Sequence, residues 1–372
     1  MLIGVPKEIK NHEYRVGLTP ESVSELVSQN NAVMVQAGAG GGIGADDETY
    51  RQHGAEIVEQ AEDIFARADM IIKVKEPQPA ERAMLRKGQI LFTYLHLAPD
   101  PEQTRDLLAS GAVCIAYETV TSPDGDLPLL KPMSQVAGRL SIQVGAAALQ
   151  KNAGGAGVLL GGVPGVAPGK VVIIGGGDVG FNAAQMAVGL QADVTILERN
   201  NEVMERLSAH FGASAKIVRS NPAVLDELLR TADMVVGAVL IPGAAAPKLI
   251  TRPMLKTMQA GSVLVDVAID QGGCFETSRP TTHDDPTYEV DGVLHYCVAN
   301  MPGAVARTST YALNAATLVH AKRIARLGWR EALSQDPHLL NGLNVCEGHL
   351  TYDAVGEALG LEVKAAKDLI SG

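Results

Sequence analysis

Residues 171–180 read VVIIGGGDVG: four branched apolar residues run straight into Gly175, Gly177 and Gly180, spaced G-x-G-x-x-G. A helix-forming stretch, FNAAQMAVGL (181–190), comes next, and a second apolar run, ADVTIL (192–197), ends on Glu198. Strand, tight turn, helix, strand and acid, in that order, make the unit that cradles a dinucleotide pyrophosphate. The glycine pattern alone is weak evidence, and its setting gives it weight. Gly175 is expected to make the turn and Gly177 to let the backbone approach the phosphates. Gly180 is expected to let the helix pack close, with its N-terminal dipole toward them. Glu198 would accept from ribose hydroxyls and repel a 2′-phosphate, which favours NAD, although Arg199 beside it is able to host that phosphate. The plain alternative for Glu198 and Arg199 is a solvated pair at a strand end.

A chain of 372 residues with 46% hydrophobic and 20% charged residues is long enough for two ordinary globular domains. The net charge of −11 argues against nucleic acid or an anionic membrane as partner, but not against anionic substrates, which local cations can hold. MLIGVPKEIKNHEYRVGL at the start is too charged for a secretory leader, and no window approaches a membrane span. Cys114, Cys274, Cys297 and Cys346 are scattered, so free thiols in a reducing cytoplasm are expected and no metal site is.

Short apolar runs alternate with helix-like segments, the signature of βαβ units. Candidate strands are AVMVQAG (32–38), DMIIKV (69–74), QILFTYL (89–95) and AVCIAYE (112–118), then KVVIIG (170–175), DVTIL (193–197), DMVVGAV (233–239), SVLVDVA (262–268) and HYCVAN (295–300). The two sets echo each other: Ala68-Asp69-Met70 recurs as Ala232-Asp233-Met234. Long amphipathic helices are expected over 134–152 and 303–328. The economical architecture is α/β, with two Rossmann-like, doubly wound parallel-sheet domains separated by a cleft and joined by the two helices. Residues 1–130 and 305–372 would form a discontinuous substrate domain, with an NAD-binding domain, 131–304, inserted. The strand order stays open.

Ligands of such sheets bind beyond the carboxyl ends of the strands. Reading past each strand gives Lys75, His96, Val239-Leu240, Asp270 and Asn300-Met301. A cation, an imidazole, a carboxylate and an amide suit a small carboxylic acid with a reactive carbon. Each has a duller explanation: Lys75 as a surface lysine paired with Glu76, His96 as a satisfied core histidine, Asp270 as a turn-former, and Arg15 as a surface arginine.

GVPKEIKNHEYRVGLTPESV (4–23) resembles the N-terminal signature of the alanine dehydrogenase and pyridine-nucleotide transhydrogenase alpha-subunit superfamily. TYLHLAPDP (93–101), KPMSQVAGRLS (131–141), GGVPGVAPGKVVIIGGGDVG (161–180), GAVLIPGAAAPKLI (237–250), VDVAIDQGGCFETSRPTTHDDP (265–286) and YCVANMPGAVARTSTYAL (296–313) resemble its alanine dehydrogenase branch. The resemblance implies that Arg15 and Lys75 hold a substrate carboxylate and that His96 and Asp270 are the catalytic pair. It implies cofactor contacts at Ser134, Asp178, Val179, Glu198, Ser220, Val239, Leu240, Val267, Arg279, Asn300 and Met301. The ribose acid, often Asp in the family, is Glu198 here, and a basic residue sometimes found shortly after it is Val203.

The activity so implied is reversible oxidative deamination of L-alanine to pyruvate and ammonia with NAD, in a cytoplasmic homohexamer. The nearest alternative is the NAD-binding component of a transhydrogenase. That component, as the family resemblance implies, lacks a histidine at the position of His96, so His96 together with Asp270 favours the dehydrogenase. A catalytically idle NAD-binding protein and a relative of saccharopine dehydrogenase are weaker alternatives.

Overall fold

The computed structural model describes residues 1–239 and 247–370. Six strands come first: β1 (Leu2–Val5), β2 (Ala32–Gln36), β3 (Glu56–Val58), β4 (Met70–Ile72), β5 (Ile90–Thr93) and β6 (Val113–Ala116). Seven follow: β7 (Lys170–Ile174), β8 (Asp193–Glu198), β9 (Lys216–Arg219), β10 (Met234–Gly237), β11 (Val263–Asp266), β12 (Thr287–Val290) and β13 (Val293–Tyr296). Two short strands close the series, β14 (Leu343–Cys346) and β15 (His349–Leu350). The chain divides into two units, Met1–Met133 with Gly303–Gly372, and Ser134–Pro302.

The sheet of the first unit runs β15-β14-β6-β5-β4-β1-β2-β3, parallel from β6 to β3, with β14 and β15 antiparallel at one edge. The sheet of the second unit runs β12-β13-β11-β10-β7-β8-β9, parallel except for β12. Each is therefore an α/β doubly wound sheet whose strand order reverses beside its first strand, between β1 and β4 in one unit and between β7 and β10 in the other. Strands β4, β6, β10 and β11 are buried along their whole length, as parallel strands covered on both faces must be.

The sequence echo has a structural cause. Asp69 accepts the N–H of Leu2 at 2.8 Å and Asp233 accepts the N–H of Lys170 at 2.7 Å. In both units an aspartate just ahead of a central strand satisfies the first donor of its parallel neighbour, which no ladder bond reaches.

Six strands, β1, β3, β9, β12, β14 and β15, lie outside the expected set. They are short, and most sit at or near an edge, where polar residues blur the apolar run. HYCVAN is displaced too: its strand is Val293–Tyr296, because an Asp291-Gly292 turn with φ of +51° and +83° folds β12 antiparallel onto it. The long helices span Lys131–Ala148 and Ala306–Leu327. The first stops short of 152 where the chain enters a 3-10 turn at Lys151–Ala153, and the second ends at Gly328, φ +75°. No helix among the described residues is long and apolar enough to cross a membrane.

Candidate active site

In the first unit the loops leaving β1 and β4 diverge at the point where the strand order reverses. They are locked by a fully buried lysine. Lys73 Nζ lies 2.9 Å from Glu8 Oε2 and 2.7 Å from Glu81 Oε1, and Glu8 Oε1 accepts the N–H of Val74 at 2.7 Å. Burial raises the Glu8 pKa against the pull of Lys73, while its two carboxylates outweigh burial at Lys73 and raise its pKa. The segment that presents Lys75 is therefore fixed to the loop that presents Arg15.

Arg15 is 2% exposed. Its Nε and Nη2 donate to the two oxygens of Glu13 at 2.7 and 2.6 Å, and Nη1 lies 3.0 Å from Met133 Sδ. Burial opposes the guanidinium charge, but the bonds and charge of Glu13 outweigh it and raise the pKa. The forked edge expected to grip a substrate carboxylate is thus gripped by Glu13. Lys75 is buried, 4.0 Å from Glu76 Oε2, and Glu76 also pairs with Lys10. The carbonyl of Lys75 accepts from Thr93 Oγ1 at 3.0 Å, and Tyr94 N–H donates to the Val74 carbonyl at 3.3 Å, so the loops after β4 and β5 zip together.

His96 follows with a left-handed backbone, φ +51°. Its side chain is 42% exposed, which removes the core-histidine reading. Its N–H donates to Glu118 Oε1 at 2.6 Å, and that of Leu95 donates to the same oxygen at 3.1 Å. Gln103 Nε2 donates to the Leu95 carbonyl at 2.6 Å, and Thr104 Oγ1 to that of Leu97 at 3.1 Å. The imidazole stacks on Tyr94, 5.7 Å between centroids and 8° from parallel. Arg15 and Tyr94 interact electrostatically, as do His96 and Glu76, so Arg15, Lys75 and His96 gather on one rim.

In the second unit β7 runs into the glycine turn. Gly175 has φ of +101°, and a side chain at Gly180 would begin 1.8 Å from the Gly175 carbonyl oxygen, so the helix Asp178–Gly189 seats against the turn only with glycine there. A Cβ at Gly177 would meet nothing within 4 Å, and Gly177 caps the helix with no side-chain bond, which fits an anionic group approaching the helix N-terminus. Glu198 folds over this turn: Oε2 accepts Gly176 N–H at 2.7 Å, and Oε1 accepts those of Arg199 and Asn200 at 2.6 and 2.9 Å. Ser220 N–H donates to the Glu198 carbonyl at 2.8 Å, and a Cβ at Gly175 would lie 3.3 Å from Val239. Asp178 and Val179 open the helix after the turn. Ser134 lies on Lys131–Ala148, a helix that Arg139 ties to Asn182 at 2.9 Å. Leu240 lies outside the described residues.

Asp270 and Val267 sit on the 3-10 turn Val267–Gln271 after β11, and Asn300 N–H lies 3.4 Å from Asp270 Oδ1, with Met301 adjoining. Fully buried Asp266 caps that turn through Ala268 N–H at 3.1 Å and binds Cys274 N–H and Ser278 Oγ at 2.9 and 2.5 Å. The Arg279 guanidinium lies 4.0 Å from the centre of the Tyr288 ring. The positioning residues Glu8, Glu13, Lys73, Gln103, Glu118 and Asp266 were missed by sequence reasoning. The one available signal was the doubling of lysine in KVKEP, which sets two cations directly after a buried strand.

Comparison with known proteins gives a single direction. The model of the alanine dehydrogenase/PNT N-terminal domain matches residues 4–137, and that of the C-terminal domain matches residues 141–353. An alanine dehydrogenase of Halomonas elongata is 58% identical over 370 residues, covering the whole of both chains. A solved L-alanine dehydrogenase superposes with a TM-score of 0.94 at 52% identity, over 97% of this chain and 99% of that one. A transhydrogenase from Sinorhizobium meliloti superposes at 0.81 with 26% identity, over 94% and 100%. With both domain models matched in order and a relative aligned end to end, the chain belongs to the alanine dehydrogenase/PNT family.

Proposed function

We propose that this chain catalyses reversible, NAD-dependent oxidative deamination of L-alanine to pyruvate and ammonia. The observation that carries the reading is the rim of the first unit, where two buried cations, Arg15 and Lys75, stand with a half-exposed imidazole, His96. Cations suit the carboxylate shared by alanine and pyruvate, and an imidazole suits proton exchange near neutrality. The full-length alanine dehydrogenase relative supports the choice of substrate.

In this reading residues 1–130 and 305–372 form the substrate domain and 131–304 the NAD-binding domain. NAD would be held by the turn at Gly175, Gly177 and Gly180, by Asp178 and Val179 at the helix start, and by Glu198 at the ribose. Ser134, Ser220, Val239, Leu240, Val267, Arg279, Asn300 and Met301 complete its contacts. When bound, it supplies the acceptor for the hydride of the alanine Cα. Lys75 and Arg15 orient the carboxylate. His96 and Asp270 share the proton transfers as water adds to the resulting imine and ammonia leaves. The expected setting is a cytoplasmic homohexamer with no nucleic-acid or membrane partner.

The test is oxidation of NADH in the presence of pyruvate and ammonium, with each omitted in turn. Turnover that needs all three supports the reading, and hydride transfer to a second nicotinamide without pyruvate replaces it with the transhydrogenase one. Lys75→Ala is expected to raise the KM for pyruvate by about 100-fold, on the scale of a lost charge-assisted contact, with NADH affinity unchanged by fluorescence titration. Normal pyruvate saturation would return Lys75 to a structural role.

A further inference from the structure

We propose that Glu118 is a positioning residue for this reaction: its carboxylate fixes the turn at His96 and, facing Nδ1, holds the neutral imidazole as the Nδ1–H tautomer, which leaves Nε2 to exchange protons. The inference rests on the reading of His96 as proton carrier. Glu118 lies on the turn Tyr117–Thr119 after β6, the parallel neighbour of β5. One oxygen, Oε1, accepts the N–H groups of His96 and Leu95 and lies 3.8 Å from His96 Nδ1. The same atom therefore sets the backbone and faces the ring. The ring runs parallel to that of Tyr94, whose hydroxyl donates to the Leu129 carbonyl at 2.6 Å.

A carboxylate on the Nδ1 side keeps the proton there and leaves Nε2 to take a proton and return it. The other groups in this unit that face the pair do not compete. Burial chiefly raises the pKa of Tyr94 and of Tyr352, which also senses Glu118, so both stay neutral phenols. Glu76 senses His96, but Lys75 and Lys10 meet its charge.

Glu118→Gln separates the two roles, since the amide oxygen still accepts both N–H groups while the charge is gone. We expect a folded protein with wild-type NADH affinity, kcat about 10-fold lower, little change in the KM for pyruvate, and a neutral His96 no longer fixed as the Nδ1–H tautomer in nitrogen NMR. Wild-type kcat with an unchanged tautomer overturns the proposal, as does a lowered kcat with an unchanged tautomer, which would reduce Glu118 to a backbone anchor. Turnover surviving in His96→Ala would instead remove the reading beneath it. Should the Gln variant not fold, nitrogen NMR of wild-type histidines, assigned with His96→Ala, decides: an Nδ1–H neutral tautomer at His96 agrees, and an Nε2–H tautomer overturns.

Discussion

His96→Ala is expected to lower kcat for pyruvate and ammonium by roughly 10²–10⁴-fold, the range for losing a general acid–base group, while NADH still binds. The side chain is half exposed, so its removal leaves no cavity. The backbone is the complication. At φ +51° an alanine costs about 1–2 kcal/mol, whereas asparagine adopts that conformation readily. His96→Asn is therefore the cleaner companion, matching the shape of the turn with no proton to exchange. Steady-state kinetics beside a melting curve separates the effects. If either folded variant turned over within two-fold of the parent, the catalytic assignment of His96 would be withdrawn.

The largest stability effect is expected at a residue that the proposed chemistry does not touch. Lys73→Met removes the cation between Glu8 and Glu81, both buried. An uncompensated buried charge costs about 3–5 kcal/mol, and a melting point lower by on the order of 10 °C follows for a unit of this size. The pH dependence carries a sign. Burial already raises the Glu8 pKa, so the folded state binds its proton more tightly than the unfolded chain does. The variant should regain stability as pH falls toward and below the ordinary carboxylate range, and lose it as pH rises through the folded pKa. Thermal melts of both proteins across that window provide the check, and equal melting points at neutral pH would show that the triad is not what holds the loop.

The residues legible in the sequence share one property: each follows directly on an apolar run long enough to be recognised. The glycine turn follows VVII, His96 follows QILFTYL, and Lys75 follows DMIIKV. Strand ends can be read locally, and parallel sheets place ligands there. What stayed hidden is pairing across distance. Glu8 meets Lys73 from 65 positions away, and Glu118 meets His96 from 22, with no local pattern to mark either carboxylate as buried or aimed. Glu13, two residues from Arg15, was hidden differently, because an acid beside a base in a charged segment looks like solvated surface until both prove buried. Short strands failed for want of length. EIV, KIVR and LNVC are too brief to show a period, and neighbouring strands rather than their own composition hold them in the sheet.

The positive φ at residue 96 narrows what evolution or a designer can place there. Bulky and branched side chains are disfavoured by the main chain, and the residues that accept such a conformation are chiefly glycine, asparagine, aspartate and histidine. Of these four, histidine alone has an ordinary pKa near physiological pH. Main-chain geometry and proton economy thus select the same amino acid independently, so a relative that discards the imidazole has also to rebuild the bend or fill it with one of the other three.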